Sequence, residues 1–92
     1  MTDASEALQI TEDIRRVLSK HARLVVDAAD LKDDDDLFRL GMTSHASVSV
    51  MLGLEDAFGV EFPESMLRRG TFGSVNSIRA AITQLLVAPA GD

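Results

Sequence analysis

A chain of 92 residues with 46% hydrophobic content can close one modest core, and its four aromatic residues are all phenylalanine. So few large side chains disfavour a β-sandwich and suit a bundle of Leu, Ile and Val-bearing helices of marginal stability. The net charge of −6 argues against nucleic acid, whose phosphates this surface would repel, and points towards basic protein partners.

The first helix is expected to start within residues 1–5, with Thr2, Asp3 or Ser5 as candidate caps and Glu6 favourable in the first turn. Ile10, Ile14, Val17, Leu18 and His21 follow at helical spacing, with charged residues between them, so this helix packs one face on a core. Cations gather near its end, where the backbone dipole favours them. His21 reads as a half-buried structural residue, because no second His or Cys at metal-ligand spacing accompanies it. Residues 24–41 form a long first loop, in which six of the fifteen acidic residues fall between Asp27 and Asp36. Asp33 to Asp36 lack the alternating ligands, central Gly and terminal Glu of an EF-hand, so they are expected to be a solvated run and no metal site is assigned. Leu31, Leu37, Phe38 and Leu40 are apolar pins for that loop, and Asp36 is placed to cap a turn over 37–40.

Thr43 is placed to cap a second long helix running from Ser44 to about Phe58, with Gly59 as its left-handed terminator. Val50, Leu54 and Phe58, with Ser47, Met51 and Ala57, are predicted to face the core, while His45, Val48, Ser49, Leu52, Glu55 and Asp56 fall on the opposite half. Pro63 opens a short third helix over 64–67, with Met66 and Leu67 inward and Arg68 and Arg69 in solvent, and Gly70 breaks the chain. Ser74 caps the last helix, whose stripe is Val75, Ile78, Ile82, Leu85 and Leu86. The expected architecture is an all-α four-helix bundle of three long helices and one short, with a long first loop. Residues 1–88 are read as one domain, and 89–92, with Pro89 and Gly91, as a frayed tail.

Catalysis is disfavoured by the residues themselves. Ser44 and His45 are helix neighbours whose side chains point about 100° apart, and no G-x-S-x-G elbow follows a strand. Ser44 at a helix start can be simply part of the cap, or it can present a hydroxyl where a phosphate ester is favoured by roughly 0.3–1 kcal/mol. Val48 and Leu52, apolar and outward among polar neighbours, mark a binding surface, so an unmodified helical interaction module is a competing reading. The chain has no cysteine, so any thiol chemistry comes from an added group. No apolar run of about 18 residues and no basic-then-apolar amino end is present, so membrane insertion and secretion are not expected; a cytoplasmic monomer is.

The run Leu40-Gly41-Met42-Thr43-Ser44, followed by Leu54-Glu55, Phe58-Gly59-Val60 and Phe62-Pro63, resembles the core signature of acyl carrier proteins over about half of the chain. Thr43 and His45 stand where that family usually has Asp and Leu. The stretch from Met42 to Arg69 is similar, more narrowly, to stand-alone aminoacyl carrier proteins served by seryl-tRNA-synthetase-like amino acid:carrier protein ligases. The resemblance implies 4′-phosphopantetheine, supplied by coenzyme A and a phosphopantetheinyl transferase, esterified to Ser44, with an acyl or aminoacyl group held on its thiol as a thioester. It implies loading by an ATP-dependent amino acid:carrier protein ligase or another acyl-loading enzyme, and delivery to a downstream acceptor enzyme. A fatty-acyl or polyketide-type carrier is the alternative cargo class. The implied docking face is His45, Val48, Ser49, Leu52, Glu55 and Asp56, with apolar contacts for affinity and carboxylates to orient basic partners.

Overall fold

The computed structural model of the chain describes residues 4–87. Three α-helices form where the apolar spacing predicts them: α1 over Ala4–His21, α2 over Ser44–Phe58 and α3 over Val75–Val87. Short 3-10 turns at Ala28–Asp30, Glu64–Met66 and Arg69–Phe72 punctuate the connections, and no strand occurs among the described residues. Helix α1 is already formed at Ala4, so Ser5 lies inside it and is not its cap. Thr2 and Asp3, like Pro89, Gly91 and Asp92, lie outside the described residues. No described helix is long and apolar enough to cross a membrane.

Ile14 and Leu18 from α1, Val50 and Leu54 from α2, and Ile78 and Ile82 from α3 meet as fully buried side chains. Burying each such side chain stabilises the fold by about 1.5–3 kcal/mol against leaving it in water. Helix α1 approaches α2 closely at Gly53, where a Cβ would stand 2.8 Å from the His21 ring and 3.0 Å from Val17. That approach is what half-buries His21. Two predicted core positions lie outside this packing. Ala57 is exposed because its short side chain opens into a groove beside Asp13, Arg16 and Lys20. Leu86 is 46% exposed, since in the last turn of α3 the neighbouring cover thins to Ile10 and Phe58.

The short third helix predicted over 64–67 is instead a 3-10 turn at Glu64–Met66, and Gly70, expected to break the chain, lies inside a second one at Arg69–Phe72. Between Pro63 and Gly70 the segment is too short to offset the cost of an α-helical nucleus, and tighter i to i+3 bonds serve instead: Met66 N–H donates to Pro63 and Leu67 N–H to Glu64. Met66 is half-buried as predicted, whereas Leu67 turns outward at 49% exposure. Phe62 and Phe72 hold the segment to the core with ring centroids 5.2 Å apart.

The acidic loop also differs from the expected solvated run. Arg15 Nη1 donates to the carbonyls of Ala28 (2.9 Å) and Leu31 (2.8 Å), and its Nη2 donates to Asp33 Oδ1 (2.8 Å). Arg79 Nη1 lies 3.5 Å from the other Asp33 oxygen. Asn76 donates its side-chain amide to Asp34, and Asp35 accepts from Lys32 N. Asp36 caps the turn after it, accepting from Phe38 N and Arg39 N. Backbone bonds from Leu37 N to Gly73 O (2.8 Å) and from Asn76 N to Asp33 O (2.9 Å) then stitch the loop to the start of α3. No group of three or more His, Cys, Asp or Glu among the described residues is arranged to hold a metal.

Candidate functional site

The amino end of α2 is set by its preceding residues. Gly41 adopts φ +112°, and a Cβ there would crowd Val25 Cγ1 at 3.3 Å and the Arg23 carbonyl at 3.4 Å. Glycine is therefore required where the loop crosses its own return. Met42, 2% exposed, anchors the next residue and donates its N–H to Leu37 O. Thr43 takes extended geometry, and its hydroxyl accepts from Ala46 N at 3.0 Å, which satisfies one of the orphan donors of the first turn. Ser44 is the first helical residue and is exposed. Its hydroxyl makes no hydrogen bond to any described residue, while its carbonyl accepts from the Ser47 hydroxyl. With Met42 and Ala46 buried on either side, Ser44 is a rigidly held, accessible alcohol at the positive end of a helix.

Ser44 stands on the rim of a cleft of about 400 Å³ between α2, the first loop and residues 67–72. Ser47, Val48 and Met51 line its α2 side, and Phe38, Leu67, Arg68, Arg69 and Phe72 the other. Arg68 and Arg69 are exposed, as the sequence predicts, but Arg69 is not simply in solvent: its guanidinium lies 3.8 Å from the centroid of the Phe38 ring. Neither arginine has a carboxylate within 4 Å among the described residues.

The residues predicted for docking are not equivalent. His45, Val48, Leu52 and Asp56 are exposed, Val48 and Leu52 at 51% and 55%. Ser49 is half-buried. Glu55 is half-buried too, and its Oε2 accepts from Phe62 N at 2.9 Å, so this carboxylate ties the segment after α2 back onto the helix. Val48 lines the Ser44 cleft, whereas Asp56 borders the groove beside α1. The cleft residues Phe38, Arg68, Arg69 and Phe72 were not part of the predicted site. Two adjacent cations in an acidic chain were the available signal, but the partner ring lies about 30 residues away in sequence and no local pattern joins them.

The described residues form a helical fold with an exposed serine at the start of its second helix. The chain belongs to the family described as "Phosphopantetheine attachment site", whose model matches residues 9–82. Members of this family are carriers without catalytic activity of their own, and their cofactor is covalently attached 4′-phosphopantetheine. Over 73 residues, 79% of this chain and 88% of the relative, it is 38% identical to an aminoacyl carrier protein of Agrobacterium fabrum. Its fold is similar to a chain in the crystal structure of engineered Bradyrhizobium japonicum glycine:[carrier protein] ligase complexed with carrier protein from Agrobacterium tumefaciens and ATP. That match has a TM-score of 0.78 at 36% identity, covering 80% of this chain and 96% of the other. A solution structure from Agrobacterium tumefaciens matches with a TM-score of 0.71 at 34% identity, covering 89% and 99%.

Proposed function

We propose that Ser44 is the attachment residue and that the protein carries a small amino acid, such as glycine, for a ligase that activates it with ATP. The observation that carries this reading is the exposed Ser44 hydroxyl, which makes no hydrogen bond to any described residue and is positioned by the Thr43 cap and the buried Met42 and Ala46. The amino acid, rather than a fatty acyl cargo, is supported by the aminoacyl carrier relative and by a structural match from a glycine:[carrier protein] ligase complex.

The residues present fit the group. Ser44 Oγ has open approach for in-line attack on the pantetheine-side phosphorus of coenzyme A; the O–P bond forms, adenosine bisphosphate leaves, and the hydroxyl proton passes to the transferase. A phosphodiester on Ser44 would be held at the amino end of α2, whose first-turn N–H groups favour negative charge. When attached, the arm supplies the terminal thiol that the cysteine-free chain lacks and holds cargo as a thioester. Val48 and Leu52 present apolar contact to the loading enzyme, His45 and Asp56 flank them, and a downstream enzyme accepts the cargo from the same side. ATP-dependent loading suits a cytoplasmic location.

The test is mass spectrometry after incubation with coenzyme A and a phosphopantetheinyl transferase. The intact chain is expected to gain one arm on the peptide containing Ser44, and Ser44→Ala is expected to gain none. Addition of ATP, an amino acid:carrier protein ligase and a panel of amino and fatty acids should then charge the arm with a small amino acid. No arm with any of several transferases would leave the unmodified interaction module as the better reading.

A further inference from the structure

We infer that Arg15 is a positioning residue for arm transfer: from α1 it holds residues 23–31 against the turn that delivers Ser44, so that the serine meets the transferase in one fixed place. The inference rests on attachment at Ser44 as proposed above. It is carried by what holds that half of the first loop, by what the held half touches, and by a strained residue at its start.

No side chain between Ala22 and Leu31 is buried, and only Leu24 and Ala28 reach the core half-buried. A stretch with so little buried apolar surface opens locally at low free energy unless something else holds it. Arg15 supplies that hold. Its Nη1 bridges the carbonyls of Ala28 and Leu31, and its Nη2 donates to Asp33. Asp33 is secured in turn from α3, by Arg79 at its carboxylate and by Asn76 N at its carbonyl. A planar guanidinium fork can serve three acceptors at once, whereas an ammonium is a single point charge.

The held stretch walls the entry to α2. Val25 N–H donates to Leu40 O at 2.8 Å, and Val25 and the Arg23 carbonyl are what close on Gly41. Met42, Thr43 and Ser44 follow directly from that glycine. Release of residues 23–31 therefore takes the outer wall from the turn that leads into the modified residue. Arg23 favours release. Among the described residues it alone, glycines aside, has positive φ, at +57°, and such backbone persists where its surroundings impose it. With the Arg15 bonds gone, Arg23 is free to relax and the Val25 to Leu40 bond opens. The transferase binds the ordered entry, so opening lowers the fraction of competent carrier and raises the apparent KM by the inverse of that fraction. The step after binding, and with it kcat, is unchanged.

The test measures arm transfer from coenzyme A by a phosphopantetheinyl transferase, read by mass spectrometry over a range of carrier concentrations. At a temperature where parent and Arg15→Met are both folded, KM for the carrier is expected to rise about three- to tenfold in the variant with kcat unchanged. Arg15→Lys, which keeps the charge but not the fork, should stay closer to Arg15→Met than to the parent. Ile82→Val, a change in the fully buried core, should lower the unfolding midpoint and leave KM where it is. Hydrogen exchange reads the hold without any transferase: local exchange at Val25 N should quicken in Arg15→Met and not in Ile82→Val. A parental KM or unaltered Val25 exchange in Arg15→Met, or an equal rise of KM in Ile82→Val, would overturn the positioning role and leave attachment at Ser44 standing. Recovery of the parental KM by Arg15→Lys would overturn the role of the fork. A parent chain that gains no arm overturns attachment and the positioning role together.

Discussion

Arg15→Met discriminates between a solvated acidic loop and a clamped one. The substitution keeps the apolar stem and removes three hydrogen bonds: to Ala28 O, to Leu31 O and to Asp33 Oδ1. Bonds to a charged group contribute about 1.5–3 kcal/mol when well buried. Arg15 and Asp33 retain 24% and 43% side-chain exposure, so water screens the ion pair to the surface range of about 0.5 kcal/mol and weakens the carbonyl bonds to about 1 kcal/mol each. Arg79 at 3.5 Å continues to neutralise part of Asp33. The expected loss is about 2 kcal/mol, equivalent to roughly 8–16 °C in Tm for a domain of this size. Equilibrium urea unfolding measures it, with the m value unchanged. Hydrogen exchange should also quicken at Leu37 N and Asn76 N, which bond between loop and α3. A loss below about 0.5 kcal/mol, with exchange unaltered, would mean that the clamp contributes nothing beyond an exposed ion pair.

Other substitutions test the helix approach and the two faces of α2. Gly53→Ala gains up to about 1 kcal/mol of helix propensity but drives a methyl into the His21 ring and Val17, a crowding worth about 1–3 kcal/mol, so a net destabilisation near 1 kcal/mol is expected. Adding His21→Ala should return part of it, and a Gly53→Ala variant more stable than the parent would refute the contact. Leu52→Asp, at a 55% exposed position, should leave the unfolding midpoint nearly unchanged and slow aminoacyl loading of the holo protein by a ligase; equal loading rates would remove Leu52 from the docking face. Glu55→Ala should cost about 1 kcal/mol through the lost acceptor for Phe62 N, seen as faster exchange of that amide.

Capping and termination of α2 were legible because they are local. Thr43 bonds a donor three residues on, Gly59 takes its left-handed turn at φ +64°, and Ser74 and Ser77 cap α3 reciprocally. The short third helix was not, since a segment bounded by Pro63 and Gly70 takes whatever backbone its neighbours stabilise, and Glu55 and the Phe62–Phe72 ring pair select 3-10 turns. Leu67 and Leu86 failed as core positions for a related reason. Periodicity marks the face a helix would bury, but only the extent of the neighbouring elements decides whether cover reaches that far.

From its sequence alone, the protein's helical class, the spans of its three main helices, the cap at Thr43 and the prominence of Ser44 follow, because spacing and capping act within a few residues along the chain. The anchoring of Asp33 and Asp34, the capture of Glu55 by Phe62 and the stacking of Arg69 on Phe38 were decided by tertiary structure. Each joins groups separated by 7 to 46 residues, and a charged side chain's partner is set by where distant backbone places it rather than by the residues beside it.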